Sequence, residues 1–120
     1  MNAWVEIKLL NSKQSLAIIN FLLDIAKRPR PFKTDDMVEF NKEVLNFKTS
    51  PRILRDLRQQ GLVKYEVIDT FRGIYQLQSN YSELLQSRGR IEQGGYWIDN
   101  RTPVFMSSKL SVNVDQLNLI

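Results

Sequence analysis

The sequence predicts an α+β fold: a three-helix core, a β-hairpin, and an additional β-rich C-terminal extension. Three observations predict it. Apolar residues recur at helical spacing in three successive segments of the first half of the chain. The period then changes to two over residues 62–68 and again over 74–77. Gly61 stands at the change, where a left-handed residue ends a helix before a strand begins.

The elements follow in order. Val5, Ile7 and Leu9 alternate with Glu6 and Lys8, which reads as a short strand, with a helix as the alternative. Asn11 or Ser12 caps a helix running to about Arg28. Leu16, Ile19, Leu22, Leu23 and Ala26 form its stripe, and Ile18, Phe21 and Ile25 widen it. A helix this apolar belongs in the middle of the core. Pro29 and Pro31 stop it, and the segment 27–33 reads as a soluble linker.

Thr34 caps a second helix with Asp35 and Asp36 in its first turn, Met37, Phe40 and Val44 as its buried side, and an end near Asn46. Phe47 is expected to plug the angle between helices. Ser50-Pro51 opens the third helix: a hydroxyl cap, then proline at the first helical position. Residues 62–68 and 74–77 pair as a hairpin around a turn at 69–73. Asn80 with Glu83 makes a capping box for a short helix through about Ser87. Tyr96, Trp97 and Ile98 face Val104, Phe105 and Met106 as a second hairpin, and Leu110, Val112 and Val114 alternate again. Residues 1–80 are therefore expected to form the main domain, N-terminal strand included. Residues 81–120 form an extension packed on it or on a dimer partner.

The chain has 120 residues, with 42% hydrophobic and 25% charged, ordinary values for one globular domain. It contains no cysteine and no histidine. Triads built on histidine, thiol nucleophiles and nearly every zinc or haem site are thereby removed. The usual acid–base group near neutral pH is missing as well. We expect no enzyme and no cofactor. Glu6-Ile7-Lys8 and Asp35-Asp36 are too sparse in carboxylates to make a metal site. The first ten residues lack the apolar run of a secretory signal, and the stretch 16–26 is broken by Asn20 and Asp24. A cytoplasmic location follows as an expectation, nucleoid-associated if the source is prokaryotic or viral. The net charge of +4 and a pI near 9.5 suit a polyanionic partner where the charge is clustered.

It is clustered on the third helix. At about 100° per residue, Ile53, Leu54 and Leu57 occupy one side. Arg52, Arg55 and Gln59 share the other, with Asp56 beside them and Arg58 at a margin. Arginine engages guanine O6 and N7 through two parallel hydrogen bonds, and glutamine does the same at adenine. Lys48, Thr49, Ser50 and the first free N–H groups of the helix are placed to hold phosphate. Lys64 and the turn residue Arg72 add cations on the hairpin.

The stretch from Thr49 through Tyr65, TSPRILRDLRQQGLVKY, resembles the winged helix-turn-helix superfamily: a capped helix, two leucines three apart, a glycine, then an apolar pair leading into the first wing strand. With the preceding helices the resemblance covers roughly residues 12–78. It implies a winged helix that binds double-stranded DNA as a transcriptional regulator. The recognition helix would lie in the major groove, with the wing on the adjacent backbone or minor groove. The superfamily also holds replication initiators, restriction-enzyme modules and pure protein-binding domains, so the resemblance leaves the regulated process open, and an assembly factor or inhibitor without direct DNA binding is the alternative.

Two further readings stay open. Phe71 at the wing tip either wedges against sugar or a partner, or folds back onto the core. The apolar residues after Gly95 either pair with residues 4–9 or build a homodimer, whose two recognition helices would read half-sites about 34 Å apart. Trp4, Tyr96 and Trp97 read as packing residues. No small-molecule ligand and no membrane partner is inferred.

Overall fold

A computed structural model of the chain describes residues 2–99. The elements are β1 (Asn2–Glu6), α1 (Ser12–Lys27), β2 (Phe32–Lys33), α2 (Thr34–Phe40), α3 (Ser50–Gln59), β3 (Tyr65–Asp69), β4 (Ile74–Leu77), α4 (Tyr81–Gln93) and β5 (Gly95–Asp99). The class is α+β, with four helices and two small antiparallel sheets among the described residues. No described helix is long and apolar enough to cross a membrane.

Residues Glu6–Gly95 form one compact unit. Its centre is α1. The Asn11 side chain accepts the Gln14 N–H at 3.0 Å and starts the helix. Ile18, Ile19, Leu22 and Ile25 are then almost wholly buried, as an all-round apolar helix must be. Pro29 and Pro31 end it, and the turn is held by Arg30, whose guanidinium donates to the Arg28 carbonyl and to the Asp24 carboxylate, each at 2.9 Å.

The segment expected to be a plain linker contains β2. Phe32 is buried edge-on against Phe21, with ring centroids 5.6 Å apart, and pairs with Tyr75 of β4. The hydrophobic effect thus draws one residue of a proline-rich stretch into the core, and the strand register follows.

Lys33, not Thr34, stands at the N-cap of α2, and its N–H donates to the Asp36 carboxylate at 2.9 Å. The helix is shorter than expected. Asn41 leaves helical geometry at φ −149°, and its carbonyl accepts the Val44 and Leu45 amides, so a turn replaces the last helical turns. Leu45 fills the core in place of Phe40, which is 49% exposed and rests its ring against Phe21. Phe47 does not plug the helix angle; it is 59% exposed.

Ile53, Leu54 and Leu57 turn inward from α3. Gly61 at φ +77° ends the helix, and the Leu62 N–H donates back to the Leu57 carbonyl at 3.0 Å. The chain then enters the hairpin. The three-stranded sheet has the order β2-β4-β3. Tyr65 faces Leu77 and Val67 faces Tyr75, and a bulge follows between Val67 and Asp69. Lys64 closes the hairpin base: its carbonyl accepts the Gln78 and Ser79 amides, and its own N–H donates to the Ser79 hydroxyl.

The capping box of Asn80 and Glu83 forms as the sequence predicts, at 2.8 and 2.9 Å. The helix it starts runs past Ser87 to Gln93, because Leu84, Ser87 and Ile91 continue an inward stripe. The Ser87 hydroxyl donates to the Leu62 carbonyl and Arg88 donates to the Asn20 side chain, tying α4 to the loop after α3 and to α1. Gly94 at φ +79° ends it.

The second unit, among the described residues, is the β1–β5 pair built from residues 2–5 and 96–99. Trp4 and Trp97 meet edge to face there, centroids 5.1 Å apart. The two rings pack on each other as expected, and each keeps part of its surface exposed. The segment Gly95–Asp99 pairs with the N-terminal strand, which runs over Asn2–Glu6 and not over the expected 4–9. The strands expected around Val104–Met106 and Leu110–Val114 lie outside the described residues.

Candidate nucleic-acid interface

The face of α3 opposite its buried stripe is bounded on both sides. On one side, the backbone of residues 8–10 runs along the helix. The Leu10 N–H donates to the Asp56 carboxylate at 3.3 Å, and the Gln60 side chain donates to the Lys8 carbonyl at 3.1 Å. Asp56 and Gln60 are four apart and share that margin. On the other side, the Arg58 guanidinium lies over the Tyr65 ring, 4.6 Å from its centroid. Between these margins stand Arg52, Arg55 and Gln59, all exposed.

Asp56, the acidic residue beside this face, is engaged by the backbone. Asp56 is half-buried and accepts a backbone amide. Among the described residues, neither Arg52 nor Arg55 makes an ion pair. Among the described residues no carboxylate competes for either guanidinium fork.

The start of α3 is less available than expected. Ser50 is wholly buried, and its hydroxyl has no hydrogen-bond partner. It cannot reach a phosphate from there. Thr49 is half-buried, with its hydroxyl 3.0 Å from the Asn46 side-chain oxygen and 3.3 Å from that of Gln14. The helix N-terminus is also largely used up: the Ser50 N–H donates to the Asn46 carbonyl, and Pro51 has no N–H to give. Lys48 remains exposed. Asn46 organises this turn, because its side-chain oxygen accepts the Lys48 and Thr49 amides at 3.0 and 2.9 Å.

On the hairpin, Lys64 Nζ is 3.9 Å from Glu83 and Arg72 Nε is 3.8 Å from Asp69. Both pairs are exposed, and pairs of that kind are worth about 0–1 kcal/mol, so each cation is readily given up to another anion. Two cations of the segment 27–33 serve the fold: Arg30 is bound to Asp24, and Lys27 lies 5.7 Å from the Tyr81 ring centroid.

No family model, characterised protein or solved structure matches this chain. What the site can do rests on its own residues.

Tyr65 is the residue that sequence reasoning missed. It is buried, stands edge-on to Tyr75 with centroids 5.4 Å apart, and gives Arg58 a surface to rest on. Burial raises the pKa of its phenol above 10.0; Arg58 opposes the rise, Tyr75 adds to it, and Arg55 opposes it. An aromatic residue four places after Gly61 was the available signal: it is the first inward position of the strand. Among the described residues no group of three or more carboxylates is placed to hold a metal ion.

Proposed function

We propose that this chain is a winged-helix protein that binds double-stranded DNA and acts as a transcriptional regulator. The element order supports the winged-helix reading. A helix, a short strand, two helices and a hairpin follow one another, and the short strand β2 pairs with the second hairpin strand β4. In this reading β3–β4, which follows α3 in the chain, is the wing.

One observation carries the DNA reading: Arg52, Arg55 and Gln59 form an exposed face without ion pairs among the described residues, on an otherwise well-packed helix. In the major groove, Arg52 and Arg55 take guanine and Gln59 takes adenine. Lys48, Arg58, Lys64 and Arg72 hold phosphates and set the register, and Arg72 reaches the adjacent backbone or minor groove. Ser50 has no part in this interface, and Thr49 contributes through the turn that it shares with Asn46.

Selection of bound duplexes from a random library, at stated salt, tests the reading. A site should emerge, and Arg55→Ala should relax it at one base position. Recovery of an unenriched library would reject sequence-specific recognition.

A protein-binding module is the second reading, favoured by Phe71, which is 98% exposed at the hairpin tip. A partner lost on Phe71→Ala but kept on Arg52→Ala would select it. A homodimer on DNA would give paired half-sites in the selected duplexes.

A further inference from the structure

Phe71 is the most exposed large apolar side chain of the described residues, and its setting is built rather than loose. The turn that carries it is fixed on both sides. The Arg72 N–H donates to the Asp69 carboxylate at 3.0 Å, and the Arg72 side chain lies against the same carboxylate. Gly73 at φ +67° closes the turn in a conformation that side chains disfavour. Phe71 thus stands at an apex, and its ring meets no other ring among the described residues.

The start of the hairpin is also tied to α3. β3 starts at Tyr65, directly beneath the Arg58 guanidinium. β3 runs from Tyr65 to Asp69, about 13 Å at about 3.3 Å per residue, and the turn with the Phe71 ring lies beyond its end. A duplex repeats every 34 Å or so, which puts the neighbouring minor groove about 17 Å from the centre of the major groove. The hairpin is thus comparable in length with the distance from one groove to the next.

We propose that Phe71 is a wedge that enters the minor groove beside the α3 site, inserts between two base pairs and kinks the duplex. The inference rests on the DNA reading above and adds a bend to it. Apolar side chains used in this way open a base step at a cost of about a few kcal/mol and turn the duplex by roughly 20–90°. Burial of a ring that water otherwise surrounds offsets part of that cost. Val67 and Ile68 are also exposed on the same hairpin.

The test uses the full chain, a duplex obtained by selection and labelled at both ends for energy transfer, and the same duplex carrying 2-aminopurine at successive positions. Wild type should raise the energy transfer and brighten 2-aminopurine at one step beside the α3 site. Phe71→Ala should lose both signals and bind about five- to a hundredfold more weakly, with its salt dependence kept. Phe71→Leu should retain part of the bend. The side chain is exposed, so thermal unfolding of Phe71→Ala should match wild type. A straight bound duplex, or a bend unchanged in Phe71→Ala, overturns the wedge and leaves α3 binding intact. Wild type that binds no duplex at low salt overturns both. A dimer that becomes monomeric on Phe71→Ala, with the DNA signals unchanged, assigns the ring to a protein contact and also overturns the wedge.

Discussion

The guanidinium of Arg58 rests on the ring of Tyr65, 4.6 Å from its centroid, and so joins the last turn of α3 to the first residue of β3. The contact fixes where the hairpin leaves the helix. A cation held over a desolvated ring in this way is worth about 0.5–2 kcal/mol. Any interface that uses helix and hairpin together depends on it.

Tyr65 makes that joint sensitive to alkali. Burial, partly opposed by Arg58, keeps its phenol protonated above the ordinary value of 10.0. The folded chain thus holds this proton more tightly than the unfolded chain. The resulting stability is whole below pH 10 and is lost as pH rises through the higher folded value. Urea unfolding across alkaline pH should show a falling limb in wild type that is shallower in Tyr65→Phe. Equal slopes in the two proteins would contradict the assignment.

Ser50→Ala should leave the chain as stable as wild type or more so. The Ser50 hydroxyl is buried without a partner, and its removal relieves a desolvated group at a cost of one small void. Duplex affinity should not change. A loss of affinity without a loss of stability would restore Ser50 to the interface.

Asn46→Ala should destabilise by about 1 kcal/mol, in the range of a lost helix cap. Its side-chain oxygen accepts the amides of Lys48 and Thr49 and fixes the turn before α3. Asn46→Asp keeps the acceptor and should recover most of the loss in chemical denaturation. Equal destabilisation by both variants would show that the acceptor is not what matters.

Leu57→Ala should cost about 2–5 kcal/mol, because the side chain is fully enclosed beside α1 and leaves a cavity. Arg52→Ala and Arg55→Ala should change stability by no more than about 0.5 kcal/mol, as exposed residues do. Unfolding midpoints measure both, and the contrast separates the inner face of α3 from its outer face.

The outer face was legible because helical periodicity needs no tertiary knowledge: Arg52, Arg55 and Gln59 fall opposite Ile53, Leu54 and Leu57 by angle alone. The capping box at Asn80 and the stop at Gly61 were legible for the same local reason. What was not legible depended on distant partners. Phe32 became a strand residue because Phe21 and Tyr75 are there to receive it. Ser50 looked like an exposed cap, but the approach of Gln14 and Thr49, thirty-five positions apart, closes that end of α3. Asp56 stands beside the arginines by angle, and only the fold brings the Leu10 amide to its carboxylate.

Binding of a selected duplex measured over a series of salt concentrations tests the central claim most directly, with wild type set beside the doubly substituted Arg52→Ala, Arg55→Ala chain. Wild-type log K should fall in a straight line against log salt, by about 0.9 for each phosphate neutralised. The variant should bind more weakly at every salt, by about 1–3 kcal/mol for each arginine that reads a base. A wild-type affinity indifferent to salt, or a variant that binds as tightly as wild type, would contradict the account.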